Sequence, residues 1–300
     1  MSAVIPIVAN GILVLLLGPL CEGIIRKIRA IVHSRQGPPI TQVYIDILKL
    51  LGKEDLRCTR NVLFRYGPSV AFGSFLVAAL LTPMGVQPST GLGGDMITWI
   101  YFQVLGTAVI SLMAVSSGNP FSEVGSAREM MLLLSVEPVI AASLIAAAVK
   151  STSLGLVDMM NYNLASGPVV SLVCGGVAIF LALQTMLGRI PFDIPEAETE
   201  IIEGPLMEQS GPNLALLKIG LLVKQVTYCF LLVQIFAPWP QFQAWPIAVI
   251  VAVAKVLVLF ALAGLVEAVM PRMRIDHAIN YMARILFVAL AALAFAAIGV

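Results

Sequence analysis

Six carboxylates crowd one short segment, Arg189–Pro212 (RIPFDIPEAETEIIEGPLMEQSGP): Asp193, Glu196, Glu198, Glu200, Glu203 and Glu208. The chain has 17 acidic residues, so about a third of them stand here, with Arg189 the only basic neighbour. Asp193 followed by Glu196 has the D-x-x-E form of a capping box. Pro195 suits a first helical turn, and Gly204–Pro205 stop a helix. The spacing therefore predicts a helix of about ten residues bearing Asp193, Glu196, Glu200 and Glu203 as a stripe at three- and four-residue steps. Like charges so placed repel one another, which raises some of their pKa values. Such a stripe suits proton hand-over near neutral pH. It equally suits a basic partner, or a plainly solvated charged face.

A second set of charges lies inside apolar stretches. Glu137 stands beside Pro138, and Lys218, Lys224 and Lys255 follow further along; Arg128, Glu129, Glu267 and Arg284 fall near the ends of such stretches. A charge at mid-bilayer costs about 3 kcal/mol on insertion scales, so it usually faces a partner or a wet path. Lys218 has the reach to snorkel to the surface. For Glu137, Lys224 and Lys255 two readings stand: structural pairing, or a chain of titratable groups across the membrane.

These groups need a scaffold, and composition sets its class. The chain of 300 residues is 59% hydrophobic and 12% charged, with mean hydropathy +0.96, whereas soluble domains carry about 25% charge. An all-α polytopic membrane protein is implied, with residues 1–300 read as a single transmembrane domain without repeats or linkers. A net charge of +1 offers nothing to nucleic acid. Cys21, Cys58, Cys174 and Cys229 show no C-x-x-C spacing, and the histidines are His33 and His277. No metal or iron–sulfur ligand set is expected in this chain.

A span needs about 20 mostly apolar residues, and eight stretches meet that rule: 2–21, 67–86, 96–117, 130–149, 167–188, 213–237, 245–269 and 277–300. The first lacks a charged start and a small-residue cleavage site and reads as a retained span. The 22–66 connection carries nine Lys and Arg, the 87–95 and 238–244 loops none, and the 270–276 loop Arg272 and Arg274, with Lys150 the one exception to the alternation. Both termini are thus expected outside and the acidic loop in the cytoplasm. An acidic loop on that usually basic side suggests a task for its carboxylates.

Within the first connection, Ile40, Val43, Tyr44, Ile47, Leu48 and Leu51 recur at helical spacing, with Gln42, Asp46, Lys49 and Lys53 opposite. This amphipathic helix either rests at the interface or is covered by a docked partner. Before it, Glu22, Arg26, Arg29 and His33 share one face of an extension of the first span, broken at Gly37–Pro39.

PFDIPEAETEIIEGPLMEQSG (Pro191–Gly211) closely resembles the acidic loop of one membrane subunit of respiratory complex I, the one numbered subunit 1 in the mitochondrial enzyme and present also in bacterial NADH–quinone oxidoreductase. The same family includes a membrane subunit of group 4 nickel–iron hydrogenases such as formate hydrogenlyase, and the likeness runs along essentially the whole chain. HSRQGPPITQVYIDILKLLGKED (His33–Asp55), EGPL (Glu203–Leu206), the Lys218…Lys224 pair, NPFSEVGSARE (Asn119–Glu129) and VEP (Val136–Pro138) look like the hydrogenase branch. Gln209 departs from it, standing where the family commonly has Tyr.

That resemblance implies a non-catalytic membrane-anchoring and ion-coupling subunit in a prokaryotic cytoplasmic membrane. Hydrophilic large and small hydrogenase subunits, holding a nickel–iron site and iron–sulfur clusters, would dock on its cytoplasmic loops. An antiporter-like membrane subunit and lipid would flank it. Redox energy from proton reduction to hydrogen would drive proton or sodium movement. Glu196, Glu198, Glu200 and Glu203 would be loop carboxylates of the ion path, and Glu123, Glu129 and Glu137 its membrane part. Asp193, Glu208, Lys218, Lys224 and Lys255 join that candidate set from their own placement. Arg35, Asp46 and Lys49 would brace the docking surface. Gln at Glu200 or Glu203 is then expected to impair coupling and leave assembly intact. The alternatives are a quinone-site subunit of a complex I type enzyme, marked by bound quinone, and a free-standing transporter, marked by transport through the isolated chain.

Overall fold

A computed structural model describes residues 4–85, 94–240 and 245–299. Among these the chain is helical: α1 Val4–Val32, α2 Gln42–Leu51, α3 Val62–Leu81, α4 Met96–Val115, α5 Pro120–Ser151, α6 Leu156–Ser166, α7 Val170–Met186, α8 Glu198–Ile201, α9 Gly211–Leu231, α10 Trp245–Val269 and α11 Ile275–Ile298. Seven of them (α1, α3, α4, α5, α9, α10 and α11) are long and apolar enough to cross a membrane. The fifth stretch expected to span, 167–188, holds α7, which is apolar but runs only 17 residues. The Lys- and Arg-free loops at 87–95 and 238–244 fall largely outside the described residues, as do both extreme termini.

Local chemistry explains several boundaries. Asn61 caps α3 by accepting from Leu63 N–H, and Asn119 caps α5 by accepting from Phe121 N–H, with Pro120 at its first position. α1 and α5, of 29 and 32 residues, exceed the roughly 20 residues that cross a bilayer. Their extensions carry Glu22–Arg29 and Glu123–Glu129 to the same end of the bundle, where α2 and the acidic loop also lie. α6 was not read from the sequence; its backbone joins the start of α4 through Met96 N–H to Leu154 O and Leu156 N–H to Gly94 O.

α9 is the most enclosed of the candidate spans. Close approach rests on small residues, as membrane helices require. A Cβ on Gly106 would come within 2.5 Å of the Phe75 ring, and one on Gly18 within 3.0 Å of Leu222 Cβ. α9 passes into a π-helical turn, Leu232–Phe236, that packs on Gly175 and Gly176 of α7. One core of buried apolar residues includes members of every spanning helix.

The acidic loop departs from expectation. Instead of about ten helical residues, only Glu198–Ile201 form α8. Ile202, Glu203 and Gly204 then take positive φ (51°, 61° and 46°), and a 3-10 turn follows at Gly204–Leu206. Phe192, Ile194, Ala197, Ile201 and Leu206 are all buried. The positive-φ residues 202–204 end the helix there, so these anchors reach the interior along an irregular path. Asp193 does not cap: it accepts from Arg272 Nη2 at 2.9 Å. The carboxylate stripe is therefore replaced by carboxylates facing different walls.

Candidate functional site: a charged cavity at the end of the bundle

The apolar helices α1 and α9 run side by side until the charged turns of α1, α2, α5 and the acidic loop close over them. There they leave a cavity of about 830 Å³. Eight of the chain's 17 acidic residues line it: Glu22, Asp46, Glu129, Glu137, Asp193, Glu196, Glu203 and Glu267. Seven of its 18 basic residues join them: Arg26, Arg29, Arg35, Arg189, Lys218, Lys224 and Arg272.

Most of these charges are paired. Glu22, only 6% exposed, accepts from Arg26 at 2.9 Å and from Arg189. Arg26 reaches Asp46 of α2 at 3.7 Å. Arg189 also faces Gln225 Oε1 at 3.4 Å, while Gln225 Nε2 donates to Leu187 O at 2.7 Å. Arg29 pairs with the buried Glu267 of α10, and Arg272 with Asp193. Pairing on this scale is required, because removing one partner of a buried pair leaves an uncompensated charge. The network ties α1, α2, α9 and α10 to the loop.

Lys224 of α9 sits among the acids at the inner end. Its Nζ lies 3.6 Å from Glu129 and 5.8 Å from the centroid of the Phe75 ring. Its charge reaches Glu137 and Glu196, which among the described residues have no ion-pair partner. Burial, and then the neighbouring charges of Asp193 and Glu129, push the Glu196 carboxyl from 4.5 up to about 7. Burial also raises Asp193, against the opposing pull of Arg272. A carboxyl poised near neutrality beside a lysine can take up or release a proton under physiological conditions.

The remaining sequence candidates divide. Glu203 lines the cavity and stands 4.0 Å from Lys218. Glu200 points elsewhere: it is exposed, accepts from Arg128 at 2.8 Å, and is lowered by that hydrogen bond. Glu198 opens α8, and its side chain lies outside the described residues. Glu208 is held by Asn119 Nδ2 at 2.5 Å and by Cys58 Sγ at 2.8 Å; these bonds lower its pKa, and it serves as a clamp between the α2–α3 connection, the start of α5 and the loop. Glu123 is exposed in the first turn of α5. Lys255 donates to Ala237 O at 2.9 Å, closing the π-helical turn, and does not line the cavity. Asp46 and Arg35 line it, and Lys49 is exposed on α2.

Sequence reasoning passed over Glu22, Arg189, Glu267 and Arg272 as site residues. For Glu22 a signal was present, in the shared face with Arg26 and Arg29. Glu267 stood out as a charge near the end of an apolar stretch and Arg272 as a basic loop residue, but nothing pointed to their partners, which lie far away in sequence. Among the described residues no three His, Cys, Asp or Glu side chains group as metal ligands.

Known proteins fit this architecture. The family model described as NADH dehydrogenase matches residues 4–298. Hydrogenase-4 component C of Escherichia coli (strain K12) is 39% identical over 280 residues, 89% of this chain and 87% of that protein. Formate hydrogenlyase subunit 4 of the same organism is 32% identical over 286 residues, 92% of each chain. A solved chain of the membrane-bound sulfane sulfur reductase, an archaeal respiratory membrane complex, superposes with a TM-score of 0.86 at 26% identity, covering 99% of this chain and 100% of that one. A family match that runs from the first described helix to the last, over a multi-pass helical bundle with a charged cavity, leads to one assignment: this chain belongs to the NADH dehydrogenase family.

Proposed function

We propose that this chain is the membrane-anchoring, ion-coupling subunit of a multisubunit hydrogenase. It acts without a redox centre of its own, as one membrane domain in a prokaryotic cytoplasmic membrane. Two relatives above 30% identity are named hydrogenase-4 component C and formate hydrogenlyase subunit 4. Nickel–iron and iron–sulfur chemistry belongs, on this reading, to hydrophilic subunits docked over α2 and the acidic loop, with an antiporter-like subunit alongside. The observation that carries the coupling role is the Glu129–Lys224 pair beside Glu137 and Glu196, which lack an ion-pair partner among the described residues, in one cavity.

In mechanism, a change of charge or shape above the loop alters the field at Glu196 and Glu203. Glu196, poised near pH 7, changes protonation, and Lys224 exchanges partners between Glu129 and Glu137. The test uses the assembled complex in sealed vesicles. Glu196→Gln and Glu203→Gln should abolish or strongly lower hydrogen-linked ion movement while partner subunits still co-purify. Glu200→Gln, whose carboxylate lies outside the cavity, should have a much smaller effect. Normal coupling in both cavity variants would sink the proposal.

A quinone-site role is the second reading, favoured by the size of the cavity, which lies within the range of small-molecule pockets. Such pockets are mostly apolar with few polar groups. Fifteen charged residues in the wall instead favour water and ions.

A further inference from the structure

The charged cavity reaches inward as far as Tyr228 on α9. From the level of Tyr228 back toward the acidic loop, the buried face of α4 carries Trp99, Gln103, Thr107 and Ser111 at four-residue steps, none more than 2% exposed. Among the described residues, both side-chain polar atoms of Gln103, Nε2 and Oε1, are buried without a hydrogen-bond partner. Ser111 Oγ, two turns further along the same face, is likewise unpartnered. A buried amide is normally satisfied by protein or by bound water, and a polar site with several partners is where interior water is held.

The helices on either side fix where Gln103 lies. Trp99 meets Tyr228 edge-on, with ring centroids 5.5 Å apart. Gly106 faces the Phe75 ring, over which Lys224 Nζ stands at 5.8 Å from the centroid. Gln103 sits one turn from each landmark on α4, as the Lys224–Tyr228 turn sits between the same landmarks on α9. The amide therefore lies on α4 at the level of the Lys224–Tyr228 turn, next to the point where Trp99 meets Tyr228 and where Phe75 of α3 stands between Gly106 and Lys224.

We propose that Gln103 holds bound water alongside the Lys224–Tyr228 turn, beside the inner end of the cavity, and positions a water molecule for proton exchange at Lys224. Gln103 is then a positioning residue: its amide donates one hydrogen bond and accepts another. The proton crosses between the ammonium and that water, and Gln103 itself never changes charge. The proton role rests on the coupling reading above; the water site does not.

Hydroxyl-radical labelling by brief X-ray irradiation of the assembled complex in ¹⁸O-water tests it, because radicals born from bound water oxidise the side chains beside it. Trp99, which is buried and outside the cavity wall, is the reporter, and Tyr228 reports the cavity. Both should take up ¹⁸O in the wild type. In Gln103→Leu, Trp99 labelling should fall several-fold, and in Gln103→Asn, which keeps an amide, it should persist. Trp99 unlabelled beside a labelled Tyr228 would overturn the site, as would equal labelling in Gln103→Leu. Should Gln103→Leu fail to assemble, wild-type and Gln103→Asn labelling decide. On the same vesicles, ion movement should slow several-fold in Gln103→Leu with hydrogen production from reduced viologen unchanged; unchanged ion movement would overturn the proton role. A wild type that carries the label yet moves no ions would remove the coupling reading alone.

Discussion

Glu196 lies in a wall of charges yet has no cation within ion-pair distance among the described residues. Its raised pKa has a thermodynamic consequence with a definite sign. Between 4.5 and about 7 the folded protein keeps a proton that the unfolded chain has released. Stability therefore falls as pH rises through that window and levels off above it. Glu196→Gln removes the slope. The variant should gain up to roughly 3 kcal/mol over the wild type on moving from pH 4 to pH 8. Thermal unfolding midpoints in detergent across that range check this, and parallel profiles would refute it. Glu22 and Arg189 make the opposite case, a buried acid paired with a largely buried cation. Arg189→Ala leaves Glu22 with Arg26 alone and should cost roughly 3 kcal/mol, read as a lowered unfolding midpoint. Arg128 with Glu200 is an exposed pair of the kind worth about 0–1 kcal/mol, so Arg128→Ala should change stability little.

Elements hold these groups by their ends. Asn119 both caps α5 and donates to Glu208, so Asn119→Ala removes a cap and a loop clamp together. Cap loss alone costs about 1 kcal/mol. The expected total is roughly 2 kcal/mol, with faster proteolysis of the acidic loop. An Asn119→Asp variant, which keeps the cap but repels Glu208, should retain helix stability and still loosen the loop. Gly204 sits at φ +46° with room for no side chain, since a Cβ would lie 2.2 Å from Pro195 O. The loop's path past Gly125 of α5 depends on that absence, and it is this path, not a helix, that aims Glu196 and Glu203 into the cavity.

At the scale of the molecule, the bundle separates an apolar body from one charged end. Its partners are expected on that end, and the basic connection 22–66 predicts that it faces the cytoplasm. A cysteine placed at Lys49, exposed on α2, in a background lacking the four native cysteines, should react with an impermeant maleimide only when the inner face is open. One placed at Thr152, exposed between α5 and α6, should react only from outside. The reverse pattern would invert the topology.

Apolar runs, caps and basic loops were legible in the letters because each depends on neighbours a few residues away. Seven of the eight expected spans recur as membrane-length helices at nearly the expected places, and α2 has the helical face that its spacing implied. The importance of the acidic segment was also legible, through six carboxylates in one short stretch. Its conformation was not, because the period of its charges argued for a helix while the buried anchors between them were satisfied only by distant helices. Likewise, nothing near Glu267 or Asp193 in sequence reveals Arg29 or Arg272 as partner, and nothing near Lys255 reveals that it closes the end of α9 instead of joining the cavity. Charge pairing inside a membrane is decided across helices, where burial makes every unpaired ion costly. Local pattern therefore placed the elements, and only their packing sorted the carboxylates into clamps, surface pairs and the few left free to titrate.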